Sequence, residues 1–124
     1  MVEDDPETAL FTVHVLTRRG QFEVVHTADP AEALRLVTDE HWDLLLTDLE
    51  MPGMSGIELL AALRLVAPSL PVAVTSAHVL DGTLTSLLGH ADDYLEKPLR
   101  VDSLIACVTA LIGQGRRPAT DAGL

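Results

Sequence analysis

Short strand-like runs at Phe22–His26, Asp43–Thr47, Val72–Thr75 and Tyr94–Glu96 alternate with longer stretches of helical spacing along this chain. That alternation is the sequence sign of a parallel sheet wrapped by helices. Met1–Asp4 reads as the end of a first strand. Asp5 is placed to cap a helix that has Pro6 at its first position and stops at Gly20. Asp29-Pro30-Ala31-Glu32 resembles a capping box, opening a second helix that turns Ala33, Leu34 and Val37 inward and ends near Thr38. Pro52, Gly53 and Gly56 punctuate a loop after Asp48. A third helix from about Gly56 carries Leu59, Leu60, Leu63 and Val66 on one face, and Pro68 and Pro71 close it. A weaker fourth helix is expected at Gly82–Gly89. The last one, Val101–Ile112, buries Leu104, Val108 and Leu111. This gives one domain over residues 1–113, with 114–124 as tail or linker.

Composition narrows the function. The chain has 124 residues and is 48% apolar, enough for a single core. Phe11, Phe22, Trp42 and Tyr94 are its only aromatic residues, so a base-stacking or sugar-stacking platform is not expected. A formal charge of -11, from 19 acids against 8 bases, would repel a phosphate backbone, so direct nucleic-acid binding is not expected either. The single cysteine, Cys107, has no partner for an internal disulfide and reads as a packing residue, as does Trp42. No basic-then-apolar signal opens the chain, so a reducing cytoplasm is the expected home. The uncharged runs Leu65–Leu80 and Ser103–Gly115 fall short of the ~20 apolar residues that a membrane span needs.

In a parallel α/β sheet, ligands bind at the carboxyl ends of strands. Polar residues stand at those ends here: Glu3 and Asp4 after the first strand, Asp48 after the third, Ser76 after the fourth and Lys97 after the fifth. Carboxylates converging in one cleft repel unless a cation neutralises them, and an all-oxygen site suits hard Mg²⁺ better than zinc. The lysine can pair with a carboxylate or a phosphoryl oxygen, and the hydroxyl can donate to another oxygen. Taken alone, Glu3, Asp4 and Asp5 would more often be a helix-capping cluster, and Tyr94 a plain edge-strand aromatic. Registration with Asp48 and Lys97 favours the site.

Four segments carry a resemblance: Val2-Glu3-Asp4-Asp5-Pro6, Leu46-Thr47-Asp48-Leu49-Glu50-Met51-Pro52-Gly53-Met54-Ser55-Gly56, Pro71-Val72-Ala73-Val74-Thr75-Ser76-Ala77 and Ala91-Asp92-Asp93-Tyr94-Leu95-Glu96-Lys97-Pro98. Jointly they resemble the signature segments of the receiver domains of two-component response regulators, over roughly Val2 to Ile112. The resemblance implies a doubly wound five-stranded parallel sheet of order 2-1-3-4-5 with five helices. It also implies that Asp48 accepts a phosphoryl group from a histidine kinase or phosphotransfer protein. Asp4, Asp48 and the Glu50 backbone carbonyl would ligate Mg²⁺, with Glu3 acting through water. Ser76 and Lys97 would bind the phosphoryl oxygens, Tyr94 would be the aromatic rotamer switch, and the Lys97-Pro98 peptide would be cis. Such a domain is no enzyme in the usual sense, catalysing only its own phosphotransfer and dephosphorylation.

Departures are as informative. Only Met1 and Val2 precede the acidic pair where the family has a full strand. The first strand is therefore expected to be truncated, with each missing buried Val or Ile forgoing ~1.5–3 kcal/mol, or residues upstream of Met1 are missing. His90 stands where the family prefers a helix-ending Gly, so strain or a changed turn is expected there. The stretch from Ser76 to Lys97 is one residue short, which keeps Thr75 beside Ser76 as candidate switch hydroxyl. Of five histidines, His14, His26, His41 and His90 read as surface or turn residues without zinc spacing. His78, two residues after Ser76, is a candidate for tuning dephosphorylation.

On the first helix, Phe11, Val15 and Leu16 match the family's buried positions. Leu10 and Val13 would form a second apolar face for a phosphodonor helix. On the last helix, Ser103, Ala106, Cys107, Ala110 and Gly113 would face outward without charge. Together with the fourth helix and last strand they form a candidate contact surface for a second copy. Two other functions compete with this one. A haloacid-dehalogenase-type phosphatase wants Asp-x-Asp, where this chain has Asp48-Leu49-Glu50. A degenerate receiver would be a phosphorylation-independent interaction module.

Overall fold

Proline placement starts both N-terminal helices of the protein, whose computed structural model describes residues 1–49, 56–77 and 91–116. Pro6 opens α1 (Pro6–His14), where a missing N–H costs nothing, and the Asp5 carboxylate accepts from the Thr8 amide at 2.9 Å. α2 (Pro30–Asp39) repeats the device, with Asp29 accepting from the Ala31 amide at 3.0 Å. The expected capping box is altered. Glu32 accepts from the Thr27 hydroxyl at 2.5 Å, and that hydroxyl takes the Asp29 amide at 3.0 Å, so Thr27 stands between the two ends of the box.

α1 continues into one π-helical turn, Val15–Arg19, closed by the Phe22 amide donating to the Leu16 carbonyl at 2.9 Å. A Cβ at Gly20 would sit 2.5 Å from the Phe22 ring, so glycine is what lets the chain fold back there. The buried face of this segment is Ala9, Thr12, Val15 and Leu16. Phe11, expected inside, is 40% exposed. It lies about 100° around the helix from Thr12, at the rim of that face.

β1 (Leu45–Asp48), β2 (Val72–Ser76) and β3 (Asp93–Glu96) form a parallel sheet in that order. Every residue of β1 and β2 is buried, as strands covered on both faces require. Beside β1, Val2 makes parallel bridges to both Thr47 and Thr27. Its amide donates to the Leu46 carbonyl at 2.8 Å and its carbonyl accepts from Asp48 at 3.0 Å; the Glu3 amide donates to Thr27 at 3.1 Å. The spatial order is thus the Thr27 segment, the Val2 segment, β1, β2, β3. This is the expected 2-1-3-4-5 order, with its first two members reduced to single bridges. The strand expected at Phe22–His26 is not formed as such: beside the Met1–Glu3 segment this stretch keeps one bridge, at Thr27, and one further backbone bond, the Met1 amino group donating to the Val25 carbonyl at 2.8 Å.

Two apolar clusters flank the sheet. Val2, Leu45, Val72 and Val74 pack with Ala33 of α2 and with Leu59, Leu60 and Leu63 of α3 (Gly56–Val66). On the other side Leu46 and Ala73 pack with Val15, Leu16 and with Leu104, Val108 and Leu111 of α4 (Val101–Arg116). Three expectations change. Val66 is 48% exposed: it continues the Leu59 and Leu63 stripe but is the last residue of α3. Cys107 faces the second cluster and is buried, not outward, and burial with Asp93 close by pushes its thiol up to about 12. α4 runs past Ile112 to Arg116. The helix expected at Gly82–Gly89 and the turn at His90 lie outside the described residues.

At the N-terminal edge of the sheet, Arg64 of α3 donates to the Leu70 carbonyl at 2.8 Å and pairs with Asp92 at 3.0 Å. Asp92 in turn accepts from the Val72 amide at 2.8 Å, so one side chain fastens α3, β2 and the start of β3 together.

Val2→Ala removes two methyl groups from a fully buried site and is expected to cost about 2 kcal/mol. Leu65→Ala, at a side chain that is 85% exposed, should stay within ~0.5 kcal/mol. Urea unfolding measures both, and equal effects would show that Val2 is not anchored in the sheet.

Candidate functional site

The carboxyl ends of the strands gather the charged groups. Asp48 is the last residue of β1 and is buried at 3% exposure; Glu3, equally buried, and the exposed Asp4 follow the Val2 bridge. Carboxylate oxygens of Glu3, Asp4 and Asp48 lie within 4.8 Å of one another. Lys97 follows β3, its backbone amide donating to the Ser76 carbonyl at 2.7 Å, and its peptide to Pro98 is cis. Its ammonium lies 3.0 Å from Glu3 Oε1 and 3.1 Å from Asp48 Oδ2. The other Glu3 oxygen accepts from the Asp5 amide at 3.1 Å.

Burial is the main influence raising the Glu3 carboxyl above its usual range, and the Asp48 charge adds to it; the Asp5 amide and Lys97 pull the other way. Burial lowers the Lys97 ammonium, but its bonds to Glu3 and Asp48 and their charges outweigh that, so its pKa is raised. One ammonium facing three carboxylates leaves the cleft negative. An all-oxygen, acid-rich cluster of this kind matches what a hard divalent cation requires.

Ser76 ends β2 fully buried. Side chains alternate along a strand, so Ser76 shares a face with Val74, whose register partner is Tyr94. Tyr94 is half-buried and packs against the cluster on that face. Thr75, the alternative hydroxyl, is the register partner of Asp48 and is also buried. Glu50 and His78 lie outside the described residues. His26, read from sequence as a surface residue, is exposed, yet its ring Nε2 lies 2.8 Å from the Glu3 carbonyl. Nothing in its spacing pointed there, because the contact joins residues 23 positions apart.

The response regulator receiver domain family matches residues 1–109. The chain belongs to that family. The transcriptional regulatory protein PrrA of Mycobacterium tuberculosis is 36% identical over 121 residues, covering 97% of this chain and 52% of that protein. The chain therefore spans about half the length of such curated relatives. Among solved receiver domains, that of a Francisella response regulator superposes with a TM-score of 0.83 at 32% identity, covering 91% of this chain and 93% of its own. The receiver domain of a sensor histidine kinase from Pseudomonas aeruginosa gives 0.82 at 26% identity, covering 90% and 93%, and was solved with a magnesium ion coordinated in its active site cleft. Among the described residues of the present receiver domain, no helix is long and apolar enough to cross a membrane.

The electrostatics give a signed expectation. A carboxyl that holds its proton more tightly when folded favours the native state at low pH, and becomes a cost as pH rises through its folded pKa. In metal-free buffer the Glu3 carboxyl should titrate above the ordinary glutamate range, and Lys97→Met should move it higher still. Carboxyl ¹³C shifts followed against pH read the midpoint directly. A Glu3 midpoint that falls when Lys97 is removed would contradict the ion-pair geometry.

Proposed function

We propose that this receiver domain takes a phosphoryl group onto Asp48 from a histidine kinase or phosphotransfer protein and thereby switches a partner surface. The observation that carries the reading is the buried Asp48 at the end of β1, 3.1 Å from the Lys97 ammonium and clustered with the Glu3 and Asp4 carboxylates. An Asp48 oxygen attacks the phosphorus of a phosphohistidine; the P–N bond breaks, its electron pair stays on the donor imidazole, and an acyl phosphate remains on Asp48. Lys97 then exchanges a carboxylate for a phosphoryl oxygen, and Ser76 donates to another. Asp4, Asp48 and the Glu50 backbone carbonyl would hold Mg²⁺, with Glu3 reaching it through water. The bound ion supplies charge neutralisation at the transferring oxygens.

Readout follows from the sheet. Movement of the Ser76 hydroxyl toward the phosphoryl group frees space on the face it shares with Tyr94, and the ring turns inward. His78 is assigned the tuning of dephosphorylation. Leu10, 74% exposed, and the half-buried Val13 keep the second face of α1 open to a phosphodonor helix. Ser103, Ala106, Ala110 and Gly113 stay exposed on α4 and form, without Cys107, the uncharged contact face for a partner, most simply a second copy. We take residues 1–113 as the working domain, 114–124 as tail or linker, and the cytoplasm as its place. One observation favours the alternative of a phosphorylation-independent interaction module: the strand that delivers Glu3 and Asp4 is reduced to one bridging residue, Val2.

Incubation with Mg²⁺ and acetyl phosphate, followed by intact mass measurement, separates the two. Wild type should gain one phosphoryl mass and Asp48→Asn none, with both folded alike, while Asp4→Ala should need more Mg²⁺. An Asp48→Asn variant that still gains the mass would overturn the acceptor assignment, and an unmodified wild type would leave the interaction module standing.

A further inference from the structure

His26 closes a gap in the backbone ladder that holds the acidic pair. Between the Met1–Glu3 and Thr27 segments the parallel pattern runs from the Thr27 amide donating to Met1 at 3.0 Å to the Glu3 amide donating to Thr27 at 3.1 Å. The next rung would be the Asp29 amide donating to the Glu3 carbonyl. That rung is missing, because the chain turns into α2 and the Asp29 amide goes to the Thr27 hydroxyl instead, at 3.0 Å. The His26 ring takes its place, with Nε2 at 2.8 Å from the Glu3 oxygen. A carbonyl only accepts, so Nε2 carries the hydrogen.

The Glu3 carbonyl belongs to the peptide plane that joins Glu3 to Asp4, so fixing its direction fixes how Asp4 leaves the sheet. Glu3 is otherwise held by its own amide and by its side-chain bonds to Lys97 and the Asp5 amide, none of which constrains that plane at its oxygen. Asp4 is exposed and contributes an oxygen to the carboxylate cluster.

We infer that His26 is a positioning residue for the cation site: its ring N–H substitutes for a strand hydrogen bond and sets the orientation of the Glu3–Asp4 peptide, hence of the Asp4 carboxylate. The inference rests on the Mg²⁺ reading of the cleft. Groups that orient metal ligands without touching the metal typically change affinity by 10–100-fold when lost. His26→Ala should therefore weaken Mg²⁺ binding by about 10-fold, at the lower end of that range because the side chain is exposed. His26→Gln, which keeps an N–H donor at comparable reach, should restore most of it.

Calorimetric titration of Mg²⁺ into the phosphate-free protein measures this without any phosphotransfer. The Glu3 carbonyl ¹³C shift in metal-free protein supplies a second readout, expected to move in His26→Ala and to return in His26→Gln. Urea midpoints of both variants separate positioning from loss of fold. Wild-type affinity in a folded His26→Ala would overturn the inference and leave the Mg²⁺ reading intact, as would equal losses in the Ala and Gln variants. A wild type that takes up no Mg²⁺ would overturn both.

Discussion

Everything at the cleft hangs on the placement of Val2 between two chain segments. Its amide and carbonyl both bond to β1, and its neighbours Met1 and Glu3 bond to the Thr27 segment, so one stretch of backbone joins the edge of the sheet to its centre. Side chains follow from this. Val2 goes into the core beneath α2 and α3, and Glu3 and Asp4 emerge at the carboxyl edge beside Asp48. Had the same acids been attached to an unpaired terminus, chain entropy would disperse them and mutual repulsion would drive them apart.

Lys97 is the counterweight to that crowding. It reaches from the end of β3 to Glu3 and Asp48 together, so its charge links the Val2 segment to β3 across the two intervening strands. Its bonds hold the ammonium charged despite burial, and the carboxylates can be buried because it is there. The cleft still keeps an excess of negative charge, which a divalent cation would neutralise.

Much of this was legible in the chain. Helix starts at Pro6 and Pro30 were readable because capping acids and N-terminal prolines act locally. Asp48, Ser76 and Lys97 were readable because strand ends are marked by where apolar runs stop. Phase around a helix was less so: Phe11 sits at the rim of its buried face and Cys107 turned inward with Leu104 and Val108, differences of a fraction of a turn that spacing alone does not resolve, while Val66 is exposed as the last residue of its helix. The strand expected at Phe22–His26 failed for a non-local reason, since a strand exists only where another segment lies alongside it. His26 was invisible for the same reason. Its partner is a carbonyl far off in sequence, left open by a turn that becomes evident only once α2 is placed.

The Arg64 fastening has a mechanical consequence. It binds α3, β2 and the start of β3 at the end of the sheet remote from the charged cleft. β3 is therefore held at both ends, at Asp92 by this fastening and at Lys97 by its amide donating to the Ser76 carbonyl at 2.7 Å, with pairing to β2 in between. With the backbone pinned along its length, the parts left to rearrange at this edge are side chains, and a change of ionic partner at Lys97 leaves the register against β2 in place.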